Sequence, residues 1–243
     1  MCIIVYKPNN TPMPDYSILM NCFDSNPDGA GYMYQDHNSN KVIINKGFMN
    51  FDSFIAAIEN LNSKIDITAS NLVMHFRYAT QGSINPANCH PFPITAKVKQ
   101  LQQTNITANT AIVHNGVIPF CSNYNSKNKL SDTQIFIRDY LSKMDNSTLF
   151  NPAVLALIKE STGSKFAIMD NNRIELIGDF IEDQGIYYSN DTYKLSRWHK
   201  TLKSKNSKKI SIYPIIDYCV YCGQYGYVDK YNGLCSQCQE ILE

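Results

Sequence analysis

Short apolar runs punctuated by Pro, Asn and Gly clusters dominate the first half of the chain. The opening run Cys2-Ile3-Ile4-Val5-Tyr6 is rich in β-branched residues and stops at Lys7-Pro8-Asn9-Asn10, which predicts a buried strand over 2–7. Residues 29–35 and 41–48 read as paired strands, because the turn-rich stretch Asp36-His37-Asn38-Ser39-Asn40 separates them. The period then becomes helical over 52–62: Phe54, Ile55, Ile58 and Leu61 share a face, with Asp52 as the expected N-terminal cap. Strands are predicted at 72–78 and 110–118. Ser131-Asp132-Thr133 starts a second helix, and Asn151-Pro152 opens a third over 153–160, with Pro in the first turn where its missing N–H costs little. Further strands follow at 165–170, 173–178, 185–189 and 210–216. Strands come in blocks rather than in strict alternation with helices, so the expected class is α+β, with antiparallel sheets and packed helices.

Composition narrows the setting. The 243 residues are 44% hydrophobic and 18% charged, which is globular rather than disordered. A net charge of +1 gives no whole-chain field that would argue for nucleic acid. No apolar run approaches the ~20 residues needed to span a bilayer, and no secretory signal pattern is present. The expectation is therefore a cytoplasmic protein whose eight cysteines are reduced or metal-bound. Abundant Asn, Lys, Ile and Tyr fit an AT-rich coding genome, viral ones included. Residues 199–209 form a polar, basic stretch that reads as a solvated loop or as a contact surface for nucleic acid or an acidic partner.

Candidate chemistry begins at Cys2, directly after Met1. Removal of Met1 would leave a thiol and a free α-amine on one residue. An α-amine titrates near pKa ~8 and can take the thiol proton near neutral pH. Four short motifs follow in order: Phe76-Arg77-Tyr78-Ala79-Thr80-Gln81-Gly82, Asn88-Cys89-His90-Pro91-Phe92, His114-Asn115-Gly116, and Ser131-Asp132-Thr133-Gln134. Taken singly, each has a plainer reading. Arg77 suits a structural ion pair, Asp132 a helix cap, Asn115-Gly116 a turn, His75 a core histidine and Cys89 a buried inert thiol.

Together with Cys2, the ordered set resembles the class II glutamine amidotransferases, whose domains are N-terminal-nucleophile amidohydrolases. Tyr187-Tyr188-Ser189-Asn190 is similar to that family's closing segment. The resemblance runs over about 2–216, sets a glutaminase domain at 1–216 and implies a four-layer α/β/β/α fold. It implies that Cys2 attacks the glutamine side-chain amide, forming a thioester and releasing ammonia. It assigns the Asn115 side-chain amide and the Gly116 N–H to an oxyanion hole. Arg77 is expected to hold the substrate α-carboxylate and Asp132 its α-ammonium, while Thr80, Gly82 and His90 shape the pocket wall. Tyr78 and Gln81 depart from the residues that synthase members often carry there, and Cys89 adds a second thiol nearby.

The C-terminal segment 217–243 carries Cys219-x2-Cys222 and, twelve residues later, Cys235-x2-Cys238. The pattern looks like a zinc ribbon, in which four thiolates close a tetrahedral Zn²⁺ site; two disulfides and an iron–sulfur site are the alternatives. A segment this short needs the metal for its folding. Tyr218, Tyr221, Tyr225, Tyr227 and Tyr231 form either the ribbon's small apolar face or a surface for stacking bases.

The reading of the whole is a glutaminase that passes ammonia to an acceptor on a separate partner protein, with nucleotide or nucleic-acid modification as one setting. Two others stand beside it: an amidase for a different amide, and a non-catalytic module in which the ribbon binds nucleic acid or protein.

Overall fold

A computed structural model describes residues 2–80, 82–122 and 130–194, together with the backbone of 215–218 and 225–228. The chain divides into two compact units, one of Met1–Pro14 with Leu19–Lys194, the other of Asp15–Ile18 with Leu195–Glu243.

The first unit is built on two antiparallel sheets. In chain order its elements are β1 (Ile3–Lys7), α1 (Tyr16–Ser25, which begins in the other unit), β2 (Ala30–Asp36), β3 (Lys41–Phe48), α2 (Phe51–Asn62), β4 (Leu72–Phe76), β5 (Phe92–Pro93), α3 (Val98–Leu101), β6 (Asn105–Ala108), β7 (Thr110–Asn115), α4 (Pro119–Ser122), α5 (Asp132–Asp139), α6 (Asn146–Leu149), α7 (Pro152–Thr162), β8 (Lys165–Asp170), β9 (Ile174–Ile177), β10 (Ile181–Asp183) and β11 (Ile186–Tyr188). The larger sheet has seven strands in the order β10-β11-β1-β4-β2-β3-β6, and the smaller has four in the order β5-β7-β8-β9. The N-terminal strand is therefore internal, paired with β4 on one side and β11 on the other.

Period-two alternation sorts each strand's side chains between two cores. Ile4, Met33, Val42, Ile44 and Val73 of the larger sheet pack against Ala111, Val113, Ala167 and Met169 of the smaller, so the sheets meet face to face. The alternate residues of the smaller sheet, Ile112, Phe166 and Ile168, pack with Ile135, Phe136, Ile137, Leu149 and Ile158 from α5, α6 and α7. On the other face of the larger sheet, Phe76 meets Phe23 of α1 and Phe54 of α2 edge-on. Burial on each side of each sheet explains the near-continuous apolar runs of β1, β4 and β7.

Most predicted elements occur within a residue or two of their expected bounds. Two differ in a telling way. The strand expected over 72–78 ends at Phe76, and that expected over 110–118 ends at Asn115. In both cases the chain leaves the ladder where candidate chemistry begins. The α2 cap is Asn50, whose side chain accepts from the Ser53 N–H, and Asp52 instead lies in the first turn, where its charge favours the helix dipole.

In the second unit, β12 (Ile215–Tyr218) and β13 (Tyr225–Val228) pair antiparallel, with Tyr218 opposite Tyr225. Cys219, Cys222, Cys235 and Cys238, the basic stretch 199–209 and Gln81 lie outside the described residues.

Candidate active site

The ladder between β1 and β4 pairs Ile3 with Phe76, and one step further out the chain brings Cys2 to the corner at Arg77 and Tyr78. Cys2 Sγ lies 3.3 Å from the Tyr78 N–H that it accepts and 3.4 Å from the Tyr78 carbonyl to which it donates. Burial pushes the Cys2 thiol pKa up, and the Tyr78 backbone N–H and the Arg77 charge pull against that. The net direction keeps the sulfur protonated at rest, so a nucleophilic Cys2 needs a base.

The Arg77 corner is pinned on both sides. Its N–H donates to Gly29 O and its carbonyl accepts the Asp28 N–H. Asp28 Oδ2 then accepts the Ala79 N–H at 2.7 Å. The Arg77 side chain is buried, with Nη1 donating to Ser83 O at 3.2 Å.

Asn115 ends β7 as a buried residue. Its Nδ2 donates to Ser189 Oγ at 2.9 Å, and the same oxygen accepts the Ile4 N–H at 2.8 Å. Asn190 Nδ2 donates to the Cys2 carbonyl at 2.7 Å. Next to Asn115, Gly116 has φ +150°, and a Cβ there would lie 2.3 Å from Ser164 Oγ. Only glycine fits this turn.

Asp132 occupies the first position of α5, behind the true N-cap Ser131, which forms a capping box with Gln134. Its Oδ2 accepts the Ile118 N–H and its Oδ1 the Thr133 N–H, each at 2.8 Å. Burial pushes its carboxyl pKa up, and these hydrogen bonds oppose that. Asp132 makes no ion pair among the described residues.

Behind Asp132 and Asn115 stands a cluster of buried histidines. His75 and His90 stack with centroids 4.2 Å apart, and His114 stacks on Phe166 at 4.6 Å. Thr133 Oγ1 sits 2.8 Å from His114 Nδ1 and 3.4 Å from His90 Nε2. His75 Nε2 donates to the His114 carbonyl at 2.9 Å. Desolvation lowers the pKa of His75 and of His114 to about 3 and that of His90 well below its ordinary value, so all are neutral. The cluster does not form a metal site, and among the described residues no group of three or more His, Cys, Asp or Glu is placed to hold one.

The structure thus ties most candidate residues into one network. Cys2 touches the Arg77 corner, and Ser189 ties Asn115 to β1 just beyond Cys2. Asp132 joins Ile118, two residues past Gly116. Gly82 approaches Asn88 and Ser131, so the loop after Arg77 reaches the α5 cap. His90 supports that cap from behind through Thr133. Thr80 is exposed and makes no such link. Sequence alone does not single out Ser189, Asn190 or Thr133 as site residues, although they lie in the closing segment 187–190 and in the motif 131–134 that holds Asp132. No described helix is long and apolar enough to cross a membrane.

Residues 19–118 match the family model of the class II glutamine amidotransferases. That span holds Arg77, Thr80, Gly82, His90, Asn115 and Gly116, while Cys2 and Asp132 lie outside it. No curated protein sequence matches the chain.

Proposed function

We propose that this protein is a glutaminase of the class II amidotransferase type, with Cys2 as its nucleophile once Met1 is removed. The observation that carries the reading is the placement of Cys2 Sγ on the Tyr78 backbone beside Arg77, on a strand tied through Ser189 to Asn115. A cysteine that is merely structural has no need of these neighbours.

In this mechanism the Cys2 α-amine takes the thiol proton, because burial disfavours spontaneous ionisation of the sulfur. The sulfur attacks the side-chain amide carbon of glutamine. Charge develops on the amide oxygen, and the Asn115 amide and the Gly116 N–H receive it. The amine returns the proton to the departing nitrogen, ammonia leaves, and water hydrolyses the Cys2 thioester to glutamate. The Arg77 guanidinium suits the substrate α-carboxylate because its planar fork can bind both oxygens. Asp132 suits the α-ammonium, since a cation beside a buried carboxylate offsets its desolvation. Thr80 and Gly82 would shape the pocket wall, with the buried His90, expected there from the resemblance, supporting it from behind through Thr133. The face-to-face sheets with helices on each outer surface support the four-layer α/β/β/α reading of the first unit.

The same proposal holds 217–243 to be a zinc ribbon. The residues flanking 219–224 stand opposite one another across a two-stranded ladder, which suits a metal-binding knuckle in that connection. Four thiolates, from Cys219, Cys222, Cys235 and Cys238, would close the coordination sphere and make the Zn²⁺ structural. Amidotransferases of this class usually work with a synthase, and an ammonia-accepting partner in the cytoplasm completes the reading. The ribbon and the 199–209 stretch are the segments suited to contact it or a nucleic acid.

The test is product analysis. Purified protein given L-glutamine should release glutamate and ammonia in equal amounts, and Cys2→Ala should release neither. Turnover of other amides with free glutamine untouched would reassign the substrate, because Arg77 and Asp132 would then lack their proposed ligands.

A further inference from the structure

Four strands from the two sheets meet at a single residue to which the mechanism above assigns no step. Ser189 follows β11 and is fully buried. Its hydroxyl oxygen accepts from Ile4 of β1 and from the Asn115 amide of β7. Its own N–H donates to the Ile4 carbonyl at 3.0 Å. Its carbonyl accepts from Lys165 Nζ, and Lys165 is the register partner of Asn115 across the β7–β8 ladder. The next residue, Asn190, holds the Cys2 carbonyl while its Oδ1 accepts from the Thr192 N–H and hydroxyl, so that amide is oriented from both ends.

We infer that Ser189 is the positioning residue that sets the Asn115 carboxamide for oxyanion stabilisation, with Asn190 holding the nucleophile strand in the same register. The inference rests on the glutaminase reading. A primary amide is planar and carries two N–H groups. Once one is tied to Ser189 Oγ, the direction of the other is fixed by that plane. The buried Asn115 Oδ1 makes no hydrogen bond among the described residues, so Ser189 is the side-chain anchor that holds the amide plane. Without it the amide can rotate about its last torsion at little cost, and the donor is no longer held where negative charge develops. Preorganisation of this kind is what distinguishes a catalytic donor from one that must reorient during the reaction. The same oxygen accepts the Ile4 N–H, but the nucleophile end of β1 is held separately, by Asn190 at the Cys2 carbonyl and by the ladder to β4.

The experiment is a double-mutant cycle on the full chain, with steady-state glutamine hydrolysis and thermal unfolding as readouts. Losing one oxyanion donor in known hydrolases lowers kcat about 10²–10³-fold, and Asn115→Ala should fall in that range. Ser189→Ala retains the amide but frees it, so its kcat should fall about 10–100-fold with KM for glutamine within about twofold. The Asn115→Ala/Ser189→Ala protein should be no slower than Asn115→Ala alone, because Ser189 acts through the amide already removed. A purely structural role predicts losses that multiply and track the melting temperature. Multiplying losses, or a wild-type kcat in Ser189→Ala, overturn the inference. Should Ser189→Ala not fold, Ser189→Cys preserves the shape while replacing the oxygen with a weak acceptor, and the same cycle applies. A wild-type protein without glutamine turnover would refute the glutaminase reading, whereas an active wild type with indifferent Ser189 variants would refute the positioning role alone.

Discussion

Mild acidification should destabilise this fold more steeply than its carboxylates can account for. His75 and His114 are held neutral in the interior with pKa about 3, against about 6.5 in the unfolded chain. Between those values the unfolded chain binds protons that the native state refuses. Stability from this source is therefore present above about pH 6.5 and falls as pH drops toward 3. From pH 7 to pH 5 each such histidine costs about 2 kcal/mol, so the pair costs about 4 kcal/mol, and His90 adds to the same side. That is a large share of the roughly 5–15 kcal/mol expected of a whole domain. Asp36, Asp139 and Asp145, whose pKa values are lowered, act in the same direction only as pH approaches their unfolded range near 4, below this window. Asp132, raised by burial, acts in the opposite direction. The assay is urea unfolding at fixed ionic strength at pH 7, 6 and 5, with His75→Gln as the control. Gln keeps a donor for the His114 carbonyl but binds no proton, so its slope of stability against pH near 5 should drop by about 1.4 kcal/mol per pH unit. Equal stability at pH 7 and pH 5, within about 1 kcal/mol, would refute the burial argument for the cluster.

Other outcomes follow from single contacts. Gly116→Ala should lose about 2–5 kcal/mol of stability by chemical denaturation, since its φ of +150° and the 2.3 Å approach to Ser164 both oppose a Cβ; a loss under 1 kcal/mol would show that the turn can relax. Arg77→Lys keeps the charge but not the fork, so KM for glutamine should rise about 10–100-fold with a smaller change in kcat; an unchanged KM would remove Arg77 from substrate binding. Metal analysis of purified protein should give one zinc per chain, and Cys235→Ser should lower it; metal-free wild-type protein would end the ribbon proposal.

The architecture was largely readable because burial dictates pattern. β1, β4, β7 and β8 are covered on both faces, so their central positions run apolar without a polar alternation, β1 and β7 being β-branched as well, and α2 shows a clean helical stripe. What escaped the pattern had a local reason. α1, with Asn21, Cys22 and Asp24 among its apolar positions, has a weak stripe, and Asn21 is spent on the Thr192 and Lys194 carbonyls. β6 is a short edge strand, paired among the described residues to β3, and its sequence Asn-Ile-Thr-Ala reads as loop. Residue type announces candidate chemistry at Cys2, Arg77 and Asp132, and the structure sets Cys2 on the Arg77 corner and Asp132 on the Ile118 N–H. No such signal marks Ser189, because a serine is ordinary and its partner Ile4 lies 185 residues away in sequence. Only the meeting of β1, β7 and β11 gives that hydroxyl its role. Likewise, Ser-Asp-Thr at 131–133 announces a helix start, but only packing assigns the cap to Ser131, the Ile118 N–H to Asp132 and the histidine contacts to Thr133.

The central claim, a Cys2 nucleophile bearing its own α-amine, is tested most directly by mass. Native purified protein would be weighed intact before and after the glutamine analogue 6-diazo-5-oxo-L-norleucine, and the modified peptide sequenced. The account predicts loss of Met1 and a single adduct on Cys2, absent from Cys2→Ala. Retained Met1 with no adduct, or an adduct on Cys89 instead, would contradict it.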